Sequence, residues 1–397
     1  MRNRLLAAYM GLLAVLGIAA VSGGVFLFRD LSTGDPIDAV ANRHAYDVLS
    51  WELRHLPEKW LYRLATLFDE GRSRDGEDAL LRRYFELSAD VRSLERQGED
   101  TAGLTEARRQ REAIENDVEE VLEGRISDLL RDQGLVMNPP LFSDIDLLFP
   151  PLDFELDRPP KVLAVSPRDR IDLDRSYLLS PGLEPEAVAA VESETEKTGV
   201  SALVVNTGGV ATYPSVIPEL ASYQQIVETA IHEWLHQYLA FYPLGRSYFR
   251  GGETRTLNET LADLAGRELA DLFVERYGSP TSPPAPAGTP SESDFRSEMR
   301  ALRLRVDELL DRGEVEAAER LMERKRDEFE ANGVYLRRIN QAYFAFFGSY
   351  ADTASSIDPI GPKLQRLRQN AGSVAEFVRM ARGLTSEAEL DRLLAGA

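Results

Sequence analysis

The sequence contains no cysteine and very little histidine: four of its 397 residues are His44, His55, His232 and His236. The absence of cysteine excludes a disulfide framework, thiol catalysis, iron–sulfur clusters and every zinc site with thiolate ligands. A transition-metal site in this chain must therefore be built from imidazole and carboxylate groups. Because the chain has four histidines, a mechanism that needs two imidazoles can be built at few positions.

Basic residues are also fewer than acidic residues. Lys and Arg total 46 against 66 Asp and Glu, which gives a net charge of -20 at pH 7. Binding to a phosphate backbone needs a basic surface, so this charge argues against nucleic acid as a partner. With 43% hydrophobic residues the chain can bury a core, and its length allows two or three structural units.

Residues 5–28 form a run of 24 residues without a charge, and about 20 apolar residues suffice for a helix to cross a bilayer. Arg2 and Arg4 precede the run. The positive-inside rule then predicts a single-pass membrane protein with a cytoplasmic N-terminus and all later residues extracytoplasmic, either periplasmic or at the cell surface. A cleaved signal peptide, with Ala20 and Ser22 as the small residues before the cut, is the alternative. The apolar run continues to Phe28, which favours an uncleaved anchor in the lipid bilayer.

Beyond this segment the sequence pattern predicts an α+β protein. Alternating and apolar runs indicate strands, helical periodicity indicates helices around them, and five prolines mark a flexible linker at 279–293. Gly313 is expected at the turn of a charged helical hairpin. The predicted strands cover 161–167, 171–180, 201–207 and 210–217, and the predicted units are the transmembrane anchor 1–29, a helical extracytoplasmic region 30–150, a core 151–278, the linker 279–293, and helices 294–397 that complete the core domain.

A helix predicted over 219–242 contains the candidate metal-binding and catalytic residues. It contains His232-Glu233-Trp234-Leu235-His236, in which residues four apart share one helical face, so both imidazoles can reach one ion. Two such ligands supply half of a tetrahedral zinc shell. Glu233 can accept a proton from the attacking water and pass it to the leaving amine. The alternative is an ordinary amphipathic core helix, whose apolar residues would form a buried face in either case.

Catalytic zinc usually has three protein ligands, and no histidine follows His236. The third ligand must then be a carboxylate. Glu259 and Asp263 lie one turn apart on the next predicted helix, so one can bind zinc while the other accepts the N–H of a ligand imidazole. Small residues at 262 and 266 would let this helix approach the first one closely.

Together the two motifs, His-Glu-x-x-His and Asn258-Glu259-x-x-Ala262-Asp263, resemble those of the gluzincin zinc metallopeptidases, the thermolysin-like and aminopeptidase-N-like group. The resemblance covers about residues 160–275. It implies a zincin-like catalytic core with a small mixed sheet and one Zn²⁺ per chain. It also implies a peptide or protein substrate held along an edge strand at about 210–217. The implied roles are zinc ligation by His232, His236 and Glu259, general base catalysis by Glu233, and support of His232 by Asp263.

The sequence also departs from that group. It has no Gly-x-Met-Glu-Asn exopeptidase motif, and no histidine after Glu259 to stabilise the oxyanion. A tyrosine hydroxyl is the available substitute. Residues 339–350 resemble a segment of uncharacterised bacterial, membrane-anchored proteins described as predicted aminopeptidases, which implies that role for Tyr350; simple packing of Tyr350 in the core is the alternative.

The sequence thus predicts a membrane-anchored zinc metallopeptidase. The alternative is a catalytically inactive, membrane-tethered zincin-like scaffold or protein-interaction module. The presence of Glu233 favours the enzyme, because a purely structural metal site has no use for a base. A closed structural zinc site would also recruit four protein ligands.

Overall fold

The structure is a computed structural model that describes residues 34–65, 72–98, 102–136, 148–280, 292–351 and 353–396. It is mostly helical, at 63%, with five short strands. The strands are β1 (Phe154–Asp157), β2 (Lys161–Pro167), β3 (Arg175–Leu179), β4 (Val200–Asn206) and β5 (Ser215–Pro218). The helices are α1 (Pro36–Asn42), α2 (Val48–Ala65), α3 (Arg74–Arg96), α4 (Ala102–Asp132), α5 (Pro185–Glu196), α6 (Tyr223–Leu239), α7 (Pro243–Arg246), α8 (Gly252–Tyr277), α9 (Glu292–Asp311), α10 (Val315–Ala331), α11 (Gln341–Phe347), α12 (Ile360–Asn370), α13 (Val374–Ala381) and α14 (Glu387–Gly396).

The predicted α+β class, with one small mixed sheet, is wrong. Helices dominate, and the strands form two separate sheets: an antiparallel sheet in the order β3-β2-β4, and a parallel pair of β1 and β5. Two predicted strands are shorter than their sequence patterns. Residues 171–174, which include both aspartates of the run 171–180, lie outside β3. Pro214 interrupts the run 210–217, because proline lacks the N–H that a strand ladder needs.

The predicted N-terminal transmembrane helix and the single-pass membrane location are corrected as well. Across the described ranges, no helix combines the length and the apolar character needed to cross a bilayer. The segment that carried the prediction, residues 5–28, lies outside those ranges. Most of the predicted linker, residues 281–291, also lies outside them.

Helices α6 and α8 form the centre of the largest hydrophobic core. Helix α6 begins with a capping box, in which Ser222 and Gln225 satisfy each other's backbone N–H groups. Its Trp234 is buried and donates its indole N–H to the Pro150 carbonyl at 2.8 Å. Helix α8 packs closely on α6 at Gly266, where a Cβ would lie 3.6 Å from the Cα of His232, in ordinary van der Waals contact.

Helices of the N-terminal region pack onto the parallel strand pair. Glu119 and Glu123 of α4 accept hydrogen bonds from the backbone N–H groups of Leu156 and Phe154 on β1, at 2.7 and 3.0 Å. Lys59 of α2 is buried between the two carboxylates, 2.9 Å from Glu119 and 3.0 Å from Glu123. These contacts give partners to backbone N–H groups on the edge of β1 that does not pair with β5. They also connect α2 and α4 to the core.

The antiparallel sheet is covered by α9, α10 and α11, which share a second hydrophobic core with it. Helices α9 and α10 form a hairpin whose turn contains Gly313 at φ +74°, a backbone conformation that favours glycine. The fold thus separates a helical hairpin on one sheet from the α6–α8 pair, where the sequence motifs lie.

Candidate metal centre

Helices α6 and α8 bring His232, His236 and Glu259 together. Their ligand atoms all lie within 4.8 Å of one another, so the three residues form a group that could hold a metal ion. The two Nε2 atoms are 2.9 Å apart, and Glu259 Oε2 lies 3.5 Å from His232 Nε2 and 3.3 Å from His236 Nε2. The structure thus brings the three predicted ligands together as a group that could hold a metal ion.

The spacing of this group can be compared with that of a tetrahedral zinc site. Bonds of about 2.0–2.1 Å in tetrahedral geometry place neighbouring ligand atoms about 3.3 Å apart, close to the spacing of Glu259 Oε2 from the two imidazoles. The Nε2 atoms need to separate by about 0.4 Å on the same argument. Glu259 Oε2 is buried and makes no hydrogen bond among the described residues. An orphaned, charged oxygen facing two imidazoles is what a bound cation would satisfy.

The outer ring nitrogens of both histidines are held by polar side chains of α8. His232 Nδ1 lies 3.0 Å from Asp263 Oδ1, and His236 Nδ1 lies 2.7 Å from Asn258 Oδ1. Both partner atoms are oxygens that accept a hydrogen bond, so each Nδ1 carries a proton and each Nε2 is free to bind a metal ion. Asp263 stands where the resemblance implied, whereas Asn258 was quoted only as part of a motif and had no role assigned.

Charges inside the metal-free cluster favour ionised histidines and an ionised Glu259. Burial alone would lower the pKa of His232, but the neighbouring carboxylates of Asp263 and Glu259 outweigh burial and raise that pKa well above its usual value. Burial alone would raise the pKa of Glu259, yet the charges of His236 and His232 hold it well below its usual range. The cluster therefore favours proton uptake by the imidazoles when no metal is bound, and a metal ion competes with that uptake.

Glu233 is buried at the side of this cluster, with 6% of its surface exposed. Burial raises the pKa of its carboxyl, and the nearby His232 and His236 partly offset that effect. Its carboxylate packs against the backbone at Gly209, where a Cβ would lie 2.6 Å from Glu233 Oε1. The site therefore has a buried, proton-accepting group beside the three metal-binding side chains.

Two tyrosines adjoin the cluster. Tyr248, in a single 3₁₀ turn at Tyr248–Arg250, donates a hydrogen bond to Glu259 Oε1 and so orients that carboxylate. Tyr350 is placed beside α8 because the Ala351 N–H donates to Thr260 Oγ1 at 2.9 Å. Burial raises the pKa of Tyr350 well above its usual value, and the charge of Glu259 adds to that effect. The Tyr350 hydroxyl is thus kept protonated and close to the site.

Sequence reasoning missed Tyr248, Asn258 and Gly209 as parts of the site. Asn258 could have been found, since it directly precedes a predicted ligand. Tyr248 and Gly209 belong to connecting segments without a motif, and only the packing of those segments brings them to the cluster. His44 and His55 take no part in the metal-binding group, and His55 Nδ1 instead lies 2.9 Å from the Trp51 carbonyl oxygen.

No protein-family model matches this chain, and neither a curated protein nor a solved structure matches it. The resemblance to gluzincins therefore rests on the two sequence motifs.

Proposed function

We propose that this chain is a zinc-dependent metallopeptidase of gluzincin type. The single observation that carries the proposal is the convergence of His232, His236 and Glu259 beside the buried carboxylate of Glu233. A structural metal site has no need of a buried base, while hydrolysis requires one. When bound, zinc would activate a water molecule and polarise the carbonyl under attack.

The residues of the chain then have distinct roles in this proposal. Glu233 accepts the proton of the attacking water and delivers it to the leaving amine, a transfer for which its burial-raised pKa is suited. Asp263 and Asn258 hold the two imidazoles in the tautomer that presents Nε2. The protonated Tyr350 hydroxyl is the proposed donor to the oxyanion.

Backbone geometry near Glu233 supports a peptide substrate. Val210 exchanges both backbone hydrogen bonds with Val216 at 3.1 Å, so its polar groups face the parallel strand pair. In extended backbone the polar groups of neighbouring residues point to opposite sides. Those of Gly209 would then face away from β5, where an extended peptide could pair with them. Ala211 is not part of this edge, because the Thr212 N–H donates to the Val210 carbonyl at 2.8 Å and closes a turn around it.

The test compares the wild-type chain with Glu233→Gln. The amide keeps the size of the side chain but cannot accept a proton, so we expect zinc content to survive while kcat falls by about 10² to 10⁴-fold. A peptide library with sequencing of product ends identifies the cleaved bond, and chelator inhibition reversed by zinc excludes a contaminating serine protease. Glu275→Gln is the matched control, because it makes the same change at an exposed position of α8.

Two results would overturn the proposal. The first is equal cleavage by wild type and Glu233→Gln, which would remove Glu233 from the reaction. The second is a zinc-loaded wild type that cleaves no peptide of the library, which would favour the inactive zincin-like scaffold.

A further inference from the structure

Gln237, the residue after His236, is buried in α6 with 5% of its surface exposed. Its side-chain amide donates two hydrogen bonds, to the Thr212 carbonyl at 2.6 Å and to Ser215 Oγ at 2.8 Å. Both acceptors belong to one stretch of chain, the 208–215 segment, which runs from the end of β4 to the start of β5. A metal-bearing helix and this segment are thus joined by a buried, two-point contact.

The same segment lies against the proposed base. A Cβ at Gly209 would be 2.6 Å from Glu233 Oε1 and 2.6 Å from Thr229 Cγ2, which is closer than side chains normally approach. The backbone at Gly209 therefore packs directly against the Glu233 carboxylate. If the segment moved away from α6, that carboxylate would lose its support on one side.

Two other polar contacts of the segment can be compared with those of Gln237. The Thr212 hydroxyl donates to the Pro214 carbonyl at 2.7 Å. This hydrogen bond lies within the segment and does not link it to α6. From the opposite side, Glu52 of α2 accepts a hydrogen bond from the Tyr213 N–H at 3.4 Å, a long and weak contact. The amide of Gln237 therefore forms a short, two-point polar link between helix and segment.

We infer that Gln237 is a positioning residue for the base: it holds the 208–215 segment against α6 and thereby fixes the carboxylate of Glu233. The inference rests on the proposed function. Glutamine suits this role because both acceptors are uncharged and need a donor, which glutamate cannot supply. The Oε1 atom of Gln237 is buried and finds no hydrogen-bond partner within the described ranges, so the side chain contributes as a donor.

The experiment uses the full chain loaded with zinc and the variant Gln237→Met, which preserves length and removes both donors. Its control is Gln224→Met, the same change at an exposed position of the same helix. We expect kcat to fall by about 10 to 100-fold in Gln237→Met, because small displacements of a reacting group have effects of that size, while KM and zinc content stay unchanged. Hydrogen exchange should quicken at residues 208–213 in this variant alone.

Gly209→Ala and the double variant show whether Gln237 acts through the segment. The added methyl group displaces the Glu233 carboxylate, so Gly209→Ala should lower kcat by a similar factor. The double variant should lose little more than either single one, since both changes disturb one contact. A merely structural role for Gln237 would instead lower stability and zinc content together and leave the kcat of the folded fraction intact.

The outcomes separate this inference from the proposed function. If wild type cleaves peptides and Gln237→Met lowers kcat no more than Gln224→Met does, Gln237 is not a positioning residue and the peptidase proposal stands. Fully additive losses in the double variant would likewise overturn the inference. If zinc-loaded wild type cleaves no peptide, the proposed function fails and this inference fails with it.

Discussion

Replacing Glu259 by glutamine is the most direct test of the metal-binding group. The change keeps the size of the side chain and removes the negative charge that faces both imidazoles at 3.3 and 3.5 Å. Loss of a residue that merely supports a metal ligand costs about 10 to 100-fold in affinity. Loss of a charged ligand should exceed that range, so we expect zinc affinity to fall by at least about 10²-fold, or about 2.7 kcal/mol.

A graded series makes the magnitude interpretable. Asp263→Asn and Asn258→Ala alter only the partners of the imidazoles, so each should lower zinc affinity by about 10 to 100-fold and rank below Glu259→Gln. Glu275→Gln, at an exposed position of the same helix, should leave affinity unchanged. Affinities are measured by competition with a chromophoric zinc chelator at one fixed pH above neutrality.

The ranking decides which carboxylate binds the metal. If Glu259→Gln retains zinc within twofold of wild type while Asp263→Asn loses most of its affinity, Asp263 is the ligand and our assignment is refuted. If both variants retain wild-type affinity, the cluster is not the zinc site.

Three further predictions follow from charges in the structure. Zinc affinity should rise by about tenfold per pH unit for each imidazole proton that zinc displaces. This rise should continue until the pH passes the raised pKa values of His232 and His236, whose carboxylate neighbours outweigh the lowering effect of burial. Lys59→Met should lower the free energy of unfolding by about 3–5 kcal/mol in urea titrations, since it removes the ammonium that buried carboxylates share. The loss should shrink as the pH falls below about 8, the pKa to which burial raises Glu119, because the carboxylates then take up protons. Tyr248→Phe removes the hydrogen bond to Glu259 and should weaken zinc binding by about tenfold in the chelator assay.

Each of these predictions has a contradicting result. A zinc affinity that stays flat between about pH 6 and 8 would show that the imidazoles bind no proton in the metal-free protein. A loss of stability in Lys59→Met that is the same at acidic and alkaline pH would show that carboxylate charge is not its cause. Unchanged zinc affinity in Tyr248→Phe would show that Glu259 is oriented without that hydroxyl.

The amino-acid sequence by itself determined the local part of the site. Helical periodicity is a short-range property, so a spacing of four residues suffices to place His232 and His236 on one face. The spacing of Glu259 and Asp263 is local in the same way, and so is the turn at Gly313 between two charged helices. From the spacing alone, however, either carboxylate could be the ligand. The motif resemblance pointed to Glu259, and the structure places its Oε2 beside both imidazoles.

Only the tertiary structure decided how the strands associate and which connecting residues reach the metal centre. Strands of four to seven residues carry little information about their partners, which is why one mixed sheet was expected where two separate sheets occur. Gly209, Gln237 and Tyr248 acquire their roles through contacts between segments that the chain pattern does not link. Lys59 lies 60 residues from Glu119, and their pairing follows from the packing of α2 and α4 on β1. Periodicity acts over one or two turns, whereas these contacts depend on how whole elements bury their apolar faces.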